Sequence, residues 1–338
     1  NKRRLWQGPE GDWNVRGPGN WMWTDATKQR MRQYANVERA WAVDRRVRGT
    51  DRKWRSAVRV HPGAGGAGIV VKSDDTAETG FIIWLGGEHG KVMKPSVADW
   101  AVAKGIFCND LSSRPTDTLE YQLARRILSE MNPMSMVMGW HSYAKDLERE
   151  HVKLTSSFGH RVEGLNTLPN ISFSSQVPPS PGFKYSNHHN VLPGRTYKPG
   201  KKVYISCIQT DGIGLGAWLK PGRGEIPYAW EVIMNYVWMA PSMAEYFYTM
   251  ATPNDYFIGC LSGPGYLYPK AVPPKLLPPL IARAKEYMDV LDLKVFEIMD
   301  YSEGATVEGN TESTREVVDT YYKGMPNAIG FVNGYAPS

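Results

Sequence analysis

Five carboxylates in this 338-residue chain follow short apolar runs that are typical of β-strands. They are Glu88, Asp110, Asp211, Asp300 and Glu303. Carboxylates brought together from several strand ends can cleave a glycosidic bond, because one protonated group assists the leaving oxygen while one ionised group attacks or activates water. Asp211 is the first choice for such a role, since it ends the longest of these apolar runs and Gly212 follows it.

Each of these acids also has a structural interpretation, because Asp, Asn and Gly commonly form turns. Asp110 could cap the helix that follows it, and Asp300 could stabilise a turn. Polar residues nevertheless follow nearly every predicted strand, and in an α/β barrel the loops after the strands form the active face. The repetition favours a functional face over a set of unrelated turns.

The elements that would position these residues alternate short apolar runs with amphipathic stretches from about residue 80 onward. The predicted strands are residues 81–85, 106–109, 136–139, 162–165, 203–209, 256–261, 295–299 and 328–332. The predicted helices are residues 96–103, 117–131, 144–158, 241–250, 275–290 and 314–324. Eight strands in this rhythm predict a closed (β/α)8 TIM-like barrel over residues 80–338.

Residues 1–79 are expected to form a basic, Trp-rich N-terminal extension or small domain. Residues 1–25 indicate an extended arm, residues 27–48 a basic helix, and the glycine-rich residues 61–68 a break before the barrel. Arginines beside tryptophans suit contacts with nucleic acid or an acidic glycan, but packing of the tryptophans onto the main domain is the favoured interpretation. Binding to nucleic acid is disfavoured, and the arm could instead hold a neighbouring copy.

The stretch Gly263-Pro264-Gly265-Tyr266-Leu267-Tyr268-Pro269 directly follows an apolar run and resembles the signature of the GxGYxYP family of glycoside hydrolase-like proteins. Further matches in the same order lie at residues 86–90, 100–112, 148–154, 170–173 and 210–212. The resemblance implies a carbohydrate-active bacterial protein that hydrolyses a glycan without a cofactor. It places Asp211 where the carboxylate pair of the family begins.

The family pattern at that pair is Asp-Gly-Asp-Asn, whereas this chain has Asp211, Gly212, Ile213 and Gly214. Ile213 cannot ionise, so the second carboxylate would have to come from Glu88, Asp110 or Asp300. The alternative is an inactive barrel that binds a glycan or serves as a self-assembling structural subunit.

The predicted sugar site contains aromatic and polar side chains beyond the strand ends. These are Tyr266, Tyr268, Trp140, Trp218, His141 and Asn170, with Tyr335 as a further aromatic residue. Aromatic faces suit sugar rings, and exposure in a cleft is expected for Trp140 and the two signature tyrosines, although core packing is the competing explanation. A metal site is disfavoured, because the histidines at 141, 188 and 189 lack partners at zinc-like spacing.

Composition restricts the class of protein. The 42% hydrophobic content excludes a disordered chain, and no apolar run approaches the roughly 20 residues that cross a bilayer. The three cysteines lie in or beside apolar runs, which predicts buried thiols rather than disulfides. No leader precedes Trp6, so an export signal has been removed or never existed; the resemblance favours a secreted, cell-surface or periplasmic bacterial protein whose signal peptide has already been removed.

Overall fold

The structure is a computed structural model, which describes residues 45–48, 54–59, 69–73, 81–85, 108–109, 111–141, 145–164, 171–191, 194–304 and 310–334. The chain divides into two compact units, Asn1–Ser172 and Phe173–Ser338. This division falls inside the region expected to form one barrel. The boundary predicted near residue 80 stays a prediction.

The first unit contains a three-stranded antiparallel sheet. Its strands, in spatial order, are β1 (Arg45–Arg48), β2 (Trp54–Arg59) and β3 (Ile69–Ser73). The helix predicted for residues 27–48 is therefore wrong at its last four residues, because pairing with β2 overrides the helical spacing. The remainder of that helix and the predicted arm lie outside the described residues.

The first unit also contains a four-stranded parallel sheet. Its strands are β4 (Phe81–Leu85), β5 (Cys108–Asn109), β6 (Met136–Trp140) and β7 (Arg161–Glu163), and the helices of this part are α1 (Thr118–Glu130) and α2 (Glu148–Ser156). The short helix α3 (Ile171–Ser174) contains the residues at which the first unit ends and the second begins. The central residues Ile82, Ile83 and Met136–Met138 are fully buried, as expected of a parallel sheet covered on both faces.

The second unit is built on a five-stranded parallel sheet. Its strands are β8 (Ile208–Gln209), β9 (Tyr228–Val232), β10 (Asp255–Gly259), β11 (Val295–Ile298) and β12 (Gly330–Asn333). Its helices are α4 (Leu215–Trp218), α5 (Tyr236–Met239), α6 (Pro241–Thr249), α7 (Leu277–Val290) and α8 (Arg315–Gly324), with a 3-10 turn at Pro269–Ala271. The strands pair in the order β12-β11-β10-β9-β8, which follows the order of the chain.

Local signals located most of these helices. Pro241 occupies the first turn of α6, where its missing N–H is not needed. Thr314 caps α8 by accepting a hydrogen bond from the Val317 N–H at 3.3 Å. Five of the six predicted helices are confirmed, four of them to within three residues at each end and α2 shortened to Glu148–Ser156. The sixth, predicted over residues 96–103, lies outside the described residues.

The prediction of a closed eight-stranded TIM-like barrel is wrong. The predicted strands belong to two separate parallel sheets, and the first has the order β5-β4-β6-β7. Strand β4 pairs with both β5 and β6, so the chain reverses direction along that sheet instead of adding strands in sequence. A barrel requires sequential neighbours and closure. Only the sheet of the second unit has the sequential order of part of a barrel, and its described edge strands, β8 and β12, are not joined to each other.

Two errors concern the strands of the second unit. The strand predicted for residues 203–209 shrinks to Ile208–Gln209, and the apolar side chains of Val203, Tyr204 and Ile205 are 70–89% exposed. Strand β9 was not predicted, although its sequence Tyr-Ala-Trp-Glu-Val is largely apolar. This missed strand carries the central residue of the candidate site.

The five-stranded sheet has two chemically different faces. In β9, Trp230 and Glu231 point to opposite faces, as successive strand residues must. The Trp230 ring packs against Trp218, at 5.1 Å between ring centroids, on the face covered by helices. Glu231 lies level with Ile258, and pairing of β10 with β11 puts Glu297 on the same face as Glu231. The second face therefore carries two buried carboxyl groups beside the buried side chain of Ile258.

Among the described residues, no helix combines the length and the apolar character needed to cross a bilayer.

Candidate active site

Glu231 and Glu297 form a hydrogen-bonded pair of carboxyl groups in the second unit. Each side chain is about as buried as an ordinary core residue, with 1% of its surface exposed. Two ionised carboxylates cannot donate hydrogen bonds to each other, so this contact requires a proton on one of them. The pair therefore stores one proton inside the protein.

The surroundings of Glu231 indicate that it holds this proton. Burial raises its pKa most, the charge of Glu297 and their hydrogen bond raise it further, and Asp211 adds repulsion, giving a pKa of about 10. The Gly212 backbone N–H opposes this shift. Neither Glu231 oxygen, however, has a well-aligned donor among the described residues. Glu231 is consequently a neutral acid at neutral pH.

Glu297 has a different environment. Burial raises its pKa and the charge of Asp211 adds to the rise, but the Leu261 N–H and the hydrogen bond from Glu231 both favour the ionised form. The Leu261 N–H donates to Oε2 of Glu297 at 3.1 Å. Two neighbouring carboxyl groups with unequal surroundings are the arrangement that separates a proton donor from a charged partner.

Backbone from the end of β12 packs closely against Glu297. A Cβ atom built on Gly334 would lie 2.0 Å from Oε1 of Glu297, so a side chain there would displace the carboxyl group or the loop. The Gly334 N–H donates to the Ile298 carbonyl at 2.9 Å, which fixes this approach. Glu297 is thus held from both neighbouring strands, β10 and β12.

Asp211, the predicted first choice, is brought near this pair. It follows β8 in a left-handed conformation, with φ of 65°, and its side chain is solvent-accessible. Partial desolvation by the surrounding protein raises its pKa above the usual range. Its charge raises the pKa of both Glu231 and Glu297. The site thus combines one accessible carboxylate with a buried pair that shares a proton.

Asp300, another predicted catalytic residue, is a structural anchor in this structure. It accepts hydrogen bonds from the backbone N–H groups of Lys270 and Ser302, both at 2.8 Å, and from the Ser302 hydroxyl. Its side chain is 1% exposed, and the Lys270 ammonium lies 4.0 Å away. Glu303, a further candidate, pairs with the same lysine at 3.2 Å. These contacts use the two acids to shape the loop after β11.

The two signature tyrosines are buried, so the expectation that they would present exposed faces to a sugar is wrong. Tyr266 is 6% exposed and Tyr268 is fully buried. Their rings meet edge to face at 5.4 Å and their hydroxyls lie 3.3 Å apart. Each ring therefore packs in the core.

Trp218 is also a core residue rather than a surface for sugar binding. It is 1% exposed and contacts the rings of Trp230, Phe247 and Phe257. The Arg223 guanidinium covers it at 4.0 Å from the ring centroid. The order of residues suggested a loop, but burial of so large an aromatic surface contributes more to stability than exposing it would.

The remaining predicted site residues belong to the first unit. Trp140 is half-buried and His141 is fully buried; both rings pack with His151, which the Ser113 hydroxyl contacts at 3.0 Å. Burial lowers the pKa of His151 well below its ordinary value, and His141 adds repulsion. Four predicted residues, Glu88, Asp110, Asn170 and Tyr335, lie outside the described residues.

No group of three or more His, Cys, Asp or Glu residues is spaced to hold a metal ion in the described part of the chain.

Sequence reasoning missed Glu231 and Glu297 because it considered only residues beyond strand ends. A usable signal existed, since both glutamates stand inside apolar runs, Trp-Glu-Val at 230–232 and Phe-Glu-Ile at 296–298. An acid in the middle of a buried strand is costly unless it has a partner. Two such acids in neighbouring segments could have been proposed as partners of each other.

Two family models match this chain. Residues 201–338 match the family described as "GxGYxYP putative glycoside hydrolase C-terminal domain", and residues 79–176 match the "GxGYxYP third domain". The C-terminal match contains Asp211, Glu231, Glu297 and the signature. No protein of curated function is similar in sequence.

A solved structure also resembles this chain. It is a crystal structure, at 1.25 Å resolution, of a protein from Bacteroides thetaiotaomicron VPI-5482 described as a "putative hydrolase". The TM-score is 0.60 at 16% sequence identity, over 75% of this chain and 46% of that one. This chain therefore spans about half the length of that protein, and the similarity concerns the fold.

Proposed function

This chain belongs to the GxGYxYP family, and from the carboxyl groups assembled in its C-terminal domain we propose that it hydrolyses glycosidic bonds. The observation that carries the proposal is the hydrogen-bonded pair of Glu231 and Glu297 with the accessible Asp211 beside it. Such a set supplies a protonated acid and a charged carboxylate without a cofactor.

The role proposed for Glu231 follows from its protonation, and the role proposed for Asp211 follows from its accessibility. Glu231, neutral at neutral pH, donates a proton to the leaving oxygen of the glycoside. Asp211, which faces solvent, attacks the sugar or activates water. Glu297 does not contact the reacting atoms in this proposal; it is a positioning residue that holds Glu231 and remains the charged member of the pair. The Ile213 position then needs no carboxylate, because Glu231 provides the second acid.

Energetics support a functional role for the pair. A buried carboxyl pair without a positive partner is unfavourable, and replacement of buried ionisable groups by apolar residues is commonly neutral or stabilising. Groups with strongly displaced pKa values concentrate at functional sites. Burial of Glu231 and Glu297 inside the sheet lowers the stability of the fold, and it provides acid–base groups that an apolar core would lack.

The test is hydrolysis by the wild type and by three variants, with nitrophenyl glycosides and a polysaccharide panel as probes. Glu231→Gln and Asp211→Asn should each lower kcat/KM about 100-fold or more, a typical loss for an acid–base group. Glu286→Gln is the matched control, because Glu286 lies on the exposed surface of α7 with 62% of its side chain accessible.

Three outcomes are distinguishable. Loss of hydrolysis in both site variants and not in the control supports the proposal. Full activity in both site variants would place the reaction elsewhere. If the wild type binds glycans without cleaving any of them, the chain is a glycan-binding subunit, as the alternative from the sequence holds.

A further inference from the structure

Two consecutive residues after β10 have a left-handed backbone, Leu261 with φ of 61° and Ser262 with φ of 66°. Neither is glycine, and residues with side chains adopt this region only where the surrounding structure imposes it. The turn stands directly beside Glu297, since the Leu261 N–H donates to its carboxyl group. Backbone strain beside Glu297 indicates that this turn does more than connect β10 to the next element.

Contacts from β11 and α8 impose this conformation. The Ser262 hydroxyl donates to the Met299 carbonyl at 2.7 Å, and the Met299 N–H donates back to the hydroxyl oxygen at 2.8 Å. The Ser262 N–H donates to the Glu297 carbonyl at 3.2 Å. The Tyr321 hydroxyl, on α8, donates to the Ser262 carbonyl. Ser262 is thereby held at its hydroxyl, its N–H and its carbonyl.

The signature itself, residues 263–269, supports the same turn from the other side. All seven residues are buried. The Leu267 N–H donates to the Leu261 carbonyl at 3.3 Å, and a Cβ on Gly263 would lie 2.5 Å from the Leu267 side chain. The Asn235 side chain donates to the Pro264 carbonyl at 2.9 Å. The loop therefore folds back onto Leu261 with all of its residues packed inside the protein.

We propose that the signature loop is a positioning device that holds the Leu261 N–H in hydrogen-bonding contact with Glu297. This hydrogen bond determines that Glu297 is the charged member of the pair and Glu231 the proton carrier. This inference rests on the proposed function for its catalytic meaning. It assigns the signature to the acid–base machinery through the backbone, and not to the sugar through its tyrosines.

The other groups around Glu297 act on it differently from this donor. The hydrogen bond from Glu231, on β9, favours charge on Glu297, whereas the charge of Asp211, at the end of β8, disfavours it. The Cys260 thiol, next to Leu261, donates to the Val232 carbonyl at 3.3 Å. Gly334 approaches from the end of β12 without a side chain. The Leu261 N–H is a well-aligned backbone donor to Glu297, whereas the Gly212 N–H that favours charge on Glu231 is not well aligned with either Glu231 oxygen.

The experiment measures the protonated carboxyl band of the pair by infrared spectroscopy as a function of pH. The band is assigned by its loss in Glu231→Gln, so no substrate is required. Tyr321→Phe removes the hydroxyl that holds the Ser262 carbonyl, and Ser262→Ala removes both contacts with Met299. Both variants should raise the apparent pKa of the pair, by up to about one unit, because a weaker Leu261 hydrogen bond disfavours the charged form.

Tyr248→Phe is the matched control, since the Tyr248 hydroxyl is also buried and donates to a backbone carbonyl, that of Leu291, away from the signature. It should lower stability as Tyr321→Phe does and leave the titration unchanged. Tyr268→Phe, which removes one hydroxyl and keeps the ring, serves as a milder variant should the others fail to fold, and it should shift the titration in the same direction.

An unshifted titration in the folded variants would overturn the proposal, because the loop would then be a structural element only. A shift in Tyr248→Phe equal to that in Tyr321→Phe would overturn it as well. Absence of hydrolysis in the wild type would contradict the proposed function. The infrared titration would still test the role of the loop, since it does not depend on turnover.

Discussion

The carboxyl groups of Glu231 and Glu297 share a hydrogen bond although strand β10 lies between the strands that carry them. Register explains the contact, because Glu231 lies level with Ile258 while Glu297 lies two positions further along the same face. Four consequences of the structure can be measured.

The first prediction concerns stability against pH. The pKa of Glu231 is about 10 in the folded chain and about 4.5 when unfolded, so the folded state retains a proton that the unfolded state loses. Stability conferred by this proton is complete below pH 4.5 and is lost as the pH rises toward 10, by at most about 1.4 kcal/mol per pH unit. Glu231→Gln should flatten this loss in urea unfolding measured at several pH values. An equally steep loss in the variant would contradict the assignment.

The second prediction tests the close approach of Gly334 to Glu297. Gly334→Ala should lower kcat at least about tenfold, because the new methyl group displaces the Glu297 carboxyl group and disturbs the acid pair. Gly330→Ala is the control on the same strand, since a Cβ there meets no atom within 4 Å. Equal activities of the two variants would show that the carboxyl group can move without consequence.

The third prediction separates Asp300 from the catalytic carboxylates. Asp300→Asn should lower the free energy of unfolding by about 1–3 kcal/mol, because an amide cannot accept all the hydrogen bonds that Lys270 and Ser302 now donate. The kcat per folded molecule should stay within about twofold of the wild type. If Asp300→Asn lowered kcat of the folded protein as much as Asp211→Asn does, Asp300 would have to take part in the reaction.

The fourth prediction concerns acid stability of the first unit. Burial lowers the pKa of His151 well below 6.5, so the unfolded chain takes up a proton that the folded chain rejects. Stability from the neutral ring is present above pH 6.5 and is lost as the pH falls below it. His151→Gln should reduce the loss between about pH 7.5 and about pH 5.5 in chemical unfolding. His188→Gln, at an exposed histidine, should leave it unchanged.

Local patterns predicted an element correctly where its own residues and its cap are enough to form it. The run Phe-Ile-Ile-Trp-Leu at 81–85 and the helix that Thr314 caps are both confirmed, since short-range propensity and capping suffice to form them. The run at 203–209 failed for the opposite reason. Its apolar residues satisfy the pattern of a strand, but no strand in the described part of the chain pairs with Val203 or Ile205, and both lie at the surface.

The candidate site was predicted only in part. Asp211 was found because it follows a strand, and the chain brings it to the pair. Glu231 was missed because its strand was not predicted and because only acids beyond strand ends were considered as site residues. Tyr266 and Tyr268 were recognised as important, yet their place in the core was not foreseen, because composition does not say which side of a loop faces the solvent.

Local patterns in the sequence were enough to predict alternating parallel strands and helices from about residue 80, the GxGYxYP signature, and the place of Asp211 after a strand. The division of the parallel strands between two sheets and the contact of Glu231 with Glu297 became visible only in the folded chain. The reason is physical: strand periodicity depends on neighbours within a few residues, whereas strand order and the pKa of a buried acid depend on groups that lie far apart in the chain.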